Sequence, residues 1–119
     1  SFVVLLARIR ALLRRGSSER PAVLAAGDLT LDPAAHIVRR GDIEVDLTAR
    51  EFALLEVLMR RKGDVLGKAE IIEHVWDWAG DHAPNLVEVY VGYLRRKIDM
   101  SEPKLLHTIR GVGYTLRVQ

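Results

Sequence analysis

The chain has no cysteine, which excludes a disulfide framework and any thiolate metal site. Its four histidines, His36, His74, His82 and His107, fall in no HExxH or other close ligand spacing, so no metal site is expected. No apolar run approaches the roughly 18 residues of a membrane span. FVVLLA at the start is too short, and its arginines follow the apolar stretch instead of preceding it as in a signal peptide. A cytoplasmic chain without membrane contact is the expectation. Also missing is a nucleophile, base and orienting group at interpretable spacing. The GVG of residues 111–113 lacks the third glycine and the following helix of a nucleotide-binding fingerprint. Neither an enzyme nor a cofactor is expected.

What is present amounts to one domain: 119 residues, enough for a modest core. The net charge of +2 is unevenly spread. Residues 1–20 carry five arginines against Glu19, a balance of +4; residues 21–84 carry seven basic and twelve acidic groups, −5; residues 85–119 carry six and three, +3. A basic C-terminal third is what a polyanion-binding surface needs.

Residues 2–13 place Phe2, Leu5, Leu6, Ile9, Leu12 and Leu13 at helical spacing with arginines largely on other faces, an amphipathic helix. A membrane-surface helix, a packing helix of a neighbouring domain and an oligomerisation helix are the readings open to it. The apolar pattern is already under way at residue 1, which favours a severed piece of an upstream domain. GSSERPAVLAAG, residues 16–27, has the Gly, Ser and Pro content of a linker, with the following domain beginning near residue 24. Short alternating runs follow: Leu29 and Leu31, then Ile37, then Ile43, Val45 and Leu47, with Gly41 and Asp42 at a tight turn. They predict a small antiparallel sheet with one face buried. Arg40, Gly41 and Asp42 also spell an integrin-type tripeptide, for which the turn is the preferred reading.

Thr48 and Glu51 form a capping box, and Leu47 with Phe52 a hydrophobic staple, at the start of a helix that Gly63 stops. A second helix is expected over residues 68–76 and a third over 85–99, separated by the irregular DWAGDHAP. Two alternating runs around residues 111–113 predict a terminal hairpin. The third helix is unusual. Val87, Val91, Leu94 and Ile98 lie on one stripe, and the opposite stripe holds Asn85, Glu88, Val89, Gly92 and Arg96. An exposed face is normally filled with strong helix formers, whereas a glycine costs about 1 kcal/mol against alanine.

Three helices followed by a hairpin is the order of a winged helix. LTAREFALLEVL, HVW, NLVEVYVGYLRRKID and HTIRGVGYTLR, in that order, give the chain from about residue 24 to 119 a resemblance to the effector domain of OmpR/PhoB-type response regulators. The first fifteen residues look like the last helix of that family's receiver domain, with residues 16–23 as the linker. The resemblance implies an α+β fold: a winged helix-turn-helix with an N-terminal antiparallel β-sheet, three helices and a C-terminal β-hairpin wing. It implies sequence-specific binding of double-stranded DNA as the output of a two-component system. The third helix would enter the major groove and the wing would lie at the minor groove. Homodimerisation on tandem half-sites, control by the chain's own receiver domain and contact with RNA polymerase are further implications. A protein-interaction module is the competing function.

On that footing the outward stripe acquires a reason. A helix in the major groove needs small, selective side chains so that its backbone approaches the base edges. Gly92 permits the approach and Val89 suits a thymine methyl. Asn85 suits an adenine edge or a phosphate, or is simply an N-cap. Glu88 suits a cytosine amino group, or is a solvated acid. Arg96 reaches a phosphate or a guanine, with Tyr93, Arg95 and Lys97 on its flanks towards backbone oxygens; a cationic helix C-terminus is the plainer reading of the basic residues. Many family members carry a basic residue where this chain has Gly92, which removes any contact made there. Arg110 projects near the wing tip, suited to the minor groove. Thr108 and Tyr114 match positions near the phosphate backbone, although Tyr114 equally suits the core. Trp76 is a phosphate donor or a packing residue, and Arg50 and Lys68 are further phosphate candidates. The loop bearing Asp77, Trp78, Asp81 and His82 corresponds to the family's RNA polymerase contact.

Overall fold

The computed structural model describes residues 22–76 and 84–118. Four short antiparallel strands, hydrogen-bonded in chain order, open the fold: β1 (Leu24–Ala26), β2 (Leu29–Asp32), β3 (Ile37–Arg40) and β4 (Ile43–Val45). Three helices follow, α1 (Ala49–Arg60), α2 (Lys68–Val75) and α3 (Leu86–Ile98), and a hairpin of β5 (Leu106–Ile109) and β6 (Gly113–Leu116) closes the described chain. This is a winged helix-turn-helix, with α2 and α3 as the helical pair and β5–β6 as the wing. The predicted helix of residues 2–13 lies outside the described residues.

The sheet forms because its apolar residues alternate. Leu29, Leu31 and Val38 are buried, and Leu31 stands opposite Val38 in the antiparallel register. Strand β1 opens the domain at residue 24, although its residues end the stretch of linker composition: Leu24 pairs with Leu31 and Ala26 with Leu29 across a turn at Gly27. Three residues are too few to register as a period, and alanine carries little strand signal. Ile43, expected on the buried face, is 67% exposed. It lies at the turn end of the outer strand β4, which among the described residues pairs with β3 alone.

Helix α1 begins as its sequence dictates. The Glu51 N–H donates to Thr48 Oγ1 (3.2 Å) and the Thr48 N–H donates to Glu51 Oε1 (2.9 Å), so the capping box is closed. Leu54, Leu55 and Leu58 of α1, Ile71 of α2, and Val91 and Leu94 of α3 meet the sheet's leucines in one core. The wing is anchored to the loop before α2. Leu66 and Tyr114 exchange both backbone hydrogen bonds, at 2.8 and 2.9 Å. A Cβ on Gly113 would stand 2.0 Å from the Leu66 carbonyl oxygen, so only glycine fits this crossing.

An ionic cluster around the buried Arg40 joins the sheet to the far end of α3. Arg40 is 7% exposed. Its guanidinium donates to Asp28 (2.6 Å), to the carbonyl of Ile98 and to that of Pro103 (2.7 Å), and stands 3.4 Å from Asp99. Asp99 accepts the backbone N–H groups of Leu105 and Leu106, each at 3.0 Å. The Arg40–Gly41–Asp42 tripeptide is therefore a turn with its arginine spent internally; Gly41 supplies the required φ of +62°.

Candidate nucleic-acid interface

Helix α3 divides as its periodicity requires. Val87, Val91, Leu94 and Ile98 are each no more than 1% exposed, while Glu88, Tyr93 and Arg96 are exposed and Val89 and Gly92 lie half-covered at the surface. A Cβ on Gly92 would meet nothing within 4 Å. Packing among the described residues therefore does not demand a glycine there. Asn85 is exposed at the helix start. Its carbonyl accepts from the Val89 N–H (2.9 Å), and its side chain makes no capping hydrogen bond.

The first turn of α3, the start of α2 and the wing enclose a cleft of about 300 Å³ lined by Lys68, Glu88, Thr108, Gly111, Val112 and Tyr114. Across its mouth Lys68 Nζ donates to Glu88 Oε2 at 2.8 Å. This hydrogen bond and ion pair raise the Lys68 pKa and lower that of Glu88. Tyr114 is 7% exposed. Burial pushes its hydroxyl up, with a further push from the Glu88 charge and an opposing pull from Arg95 and Lys68. Three phosphate candidates, Lys68, Thr108 and Tyr114, and one base-reading candidate, Glu88, thus share one cleft, and Lys68 and Glu88 already engage each other.

On the other flank of α3 runs an aromatic ladder. Trp76 meets Tyr90 edge to face with centroids 5.3 Å apart, and Tyr90 meets Tyr93 likewise at 5.3 Å. Arginine caps both ends: Arg50 lies 5.5 Å from the Trp76 ring and Arg96 5.5 Å from the Tyr93 ring. Arg50 also donates to the Val75 carbonyl at the end of α2 (2.7 Å). Trp76 is 8% exposed, so it packs, whereas Tyr93 and Arg96 reach the surface. The ladder was not read from the sequence, although Tyr90 and Tyr93 stand at the i, i+3 spacing that makes helical neighbours.

The remaining cations sort by what already holds them. Arg95 donates to Thr108 Oγ1 (2.6 Å) and to the Leu106 carbonyl (3.3 Å), tying α3 to β5. Lys97 turns away from the outward stripe and donates to Glu51 Oε1 (2.7 Å). Burial pushes the Glu51 carboxyl up, but the bonds from Lys97 and Thr48 outweigh it, and its pKa lies below the ordinary value. Arg110 is exposed, beside the Gly111 turn of the wing, on the same hairpin that borders the cleft. Asp77, Trp78, Asp81 and His82 lie outside the described residues. Among the described residues no group of His, Asp and Glu is placed to hold a metal ion, and no helix is long and apolar enough to cross a membrane.

An outward helix face thus stands beside a wing that carries an exposed arginine. Residues 42–116 match the family model described as transcriptional regulatory protein, C terminal. The chain belongs to this family, the OmpR/PhoB-type effector domains. Among curated relatives of this effector domain, the transcriptional regulatory protein TcrA of Mycobacterium tuberculosis is 52% identical over 114 residues, covering 95% of this chain and 45% of the relative. The response regulator MprA of Mycobacterium avium is 51% identical over 117 residues, covering 95% and 51%. The chain thus spans about half the length of these relatives. Among solved structures, the RstA DNA-binding domain of Klebsiella pneumoniae in complex with the RstA box matches with a TM-score of 0.74 and 25% identity, over 83% of this chain and 100% of that one. The response regulator DrrB of Thermotoga maritima, an OmpR/PhoB homologue, matches with a TM-score of 0.73 and 27% identity, over 96% and 51%.

Proposed function

We infer that this effector domain binds double-stranded DNA sequence-specifically as the output half of a two-component response regulator. Helix α3 enters the major groove and the β5–β6 wing lies along the adjacent minor groove. One observation carries the reading: the face of α3 bearing Gly92 and Arg96 is turned outward, and Glu88 and Arg95 of the same helix border the wing. Gly92 brings the helix backbone close to base edges, Val89 presents methyl groups to a thymine, and Asn85 and Glu88 offer an amide and an acceptor. Arg96 and Arg110 supply the cations for base or phosphate in the two grooves. The relation to the DNA-bound RstA domain supports the same placement.

Held cations contribute differently from free ones. Arg95 and Thr108 present a linked pair to a phosphate, and Lys97 serves the fold. Trp76 and Arg50 support the flank of the reading helix. Residues 77–84 fit a contact with RNA polymerase, and residues 1–15 the last helix of a receiver domain. A cytoplasmic location, dimerisation on tandem half-sites and control by a receiver complete the proposal, all resting on the family resemblance.

Selection of bound sequences from a random DNA pool tests the reading. A recurrent half-site is expected, with affinity falling steeply as salt rises, at a log–log slope of about −0.9 per neutralised phosphate. Recovery of no preferred sequence, with binding that ignores salt, would sink it.

A further inference from the structure

Glu88 raises a physical difficulty for any DNA-binding surface, because a bare carboxylate at the start of α3 would face a polyanion. The structure resolves it within the protein. Lys68, the first residue of α2, reaches across the cleft and places its ammonium 2.8 Å from Glu88 Oε2. The two side chains come from separate helices and are both about half exposed, so the pair sits at the mouth of the cleft and not in the core. The cation cancels the acid's charge where phosphates would approach.

We propose that Lys68 is a positioning residue for base reading: it holds one oxygen of Glu88 so that the other accepts a hydrogen bond from the amino group of a cytosine. The proposal rests on the DNA-binding reading given above and deepens it. A carboxylate has two oxygens with about four acceptor sites, and a single lysine at Oε2 leaves the capacity that cytosine N4 requires. The side chain of Glu88 has three torsions of its own, and an exposed one ordinarily samples many rotamers. A tether from a different helix fixes it before DNA arrives. The surroundings agree. Tyr114 lies at the back of the same cleft, where the fields of Glu88 and Lys68 act on its hydroxyl in opposite directions. Thr108 and the Gly111–Val112 turn border the opening, so a strand passing between α3 and the wing passes this pair.

A lysine bound to an internal acid and a lysine bound to a phosphate behave differently when removed. Loss of a phosphate contact weakens all sequences alike and lowers the salt slope by about one. Loss of a positioning residue blurs one base pair and leaves the slope in place.

The experiment starts from the half-site that the chain selects from a random pool, then measures affinity for that site and for the three other bases at each position. Glu88→Ala is expected to erase a cytosine preference at one position. Lys68→Met is expected to lower that same preference by about 10-fold, within the range of one good base contact, with the salt slope unchanged and thermal unfolding near that of the parent. Lys68→Arg retains the preference, since a guanidinium also engages a carboxylate. Added to Glu88→Ala, Lys68→Met has no further effect on base choice. Two results overturn the proposal: an equal loss across all four bases with a shallower salt slope in Lys68→Met, or a full set of base preferences surviving in Glu88→Ala. If the parent chain selects no sequence at all, it is the DNA-binding reading that falls.

Discussion

Single side chains carry separable duties in this domain. Arg96 projects outward from α3 over the Tyr93 ring, and Arg110 is exposed beside the wing turn. Arg96→Ala and Arg110→Ala are each expected to lower operator affinity by about 1–3 kcal/mol where the arginine reads a base. The unfolding midpoint should move little in either case, a pairing that titration and thermal melting check together. Gly113 has the opposite profile. Its hydrogen faces the Leu66 carbonyl oxygen, and an added Cβ would fall 2.0 Å from that atom. Gly113→Ala must push the wing off the loop and strain the Leu66–Tyr114 backbone pair, at a cost of about 2–4 kcal/mol in urea denaturation. An unchanged midpoint would show that the wing crosses that loop at greater distance.

At the scale of elements, α3 has one face for the core and one for the outside. Val89→Glu is expected to abolish specific DNA binding and preserve a cooperative unfolding transition, because the position borders solvent. An unfolded variant would mean that the stripes are reversed. The inner side of the helix end is fixed by Lys97 and Glu51. The Glu51 carboxyl titrates below its ordinary value of 4.5 in the folded protein, so the native state binds fewer protons than the unfolded one in this range. The stabilisation is therefore fully present above about pH 4.5 and is lost as pH falls through the lower folded value. A pH series of melts should show this slope, and Glu51→Gln should flatten it. Much of this layer was legible in the sequence. Thr48 with Glu51, the heptad-like repeat of Val87, Val91, Leu94 and Ile98, and the alternation of Leu29 with Leu31 all encode local periods or caps. Strand β1 was not legible, since Leu24–Ala26 is shorter than any reliable period and follows residues of linker composition. Ile43 was misplaced because alternation specifies a face but not whether another element reaches far enough to cover it.

Across the whole molecule, the interaction least visible in the sequence is the one that spans it. Arg40 lies 58 residues before the Ile98 carbonyl to which it donates, and no pattern of spacing marks that pairing. Nor does spacing reveal that Lys68 meets Glu88, since their approach depends on how α2 and α3 cross. The outward face of α3 was legible for a different reason: valine and glycine are poor choices for a helix facing only water, and that local inconsistency marks a site where something else is selected. Arg40→Ala takes the cation from the buried Asp99 and a donor from the Ile98 and Pro103 carbonyls, and is expected to cost about 3–5 kcal/mol. Arg40→Lys should recover only part of this, because one ammonium cannot reproduce a fork that serves Asp28, Ile98 and Pro103 together. Chemical denaturation of both variants checks the order. The division of labour along α3 has an evolutionary corollary. The core anchors, Val87, Val91, Leu94 and Ile98, run along the helix's inner face, while Val89, Gly92 and Arg96 lie towards the outer one. On the proposed reading, operator preference can change through these outer positions while the core stripe of the helix stays as it is.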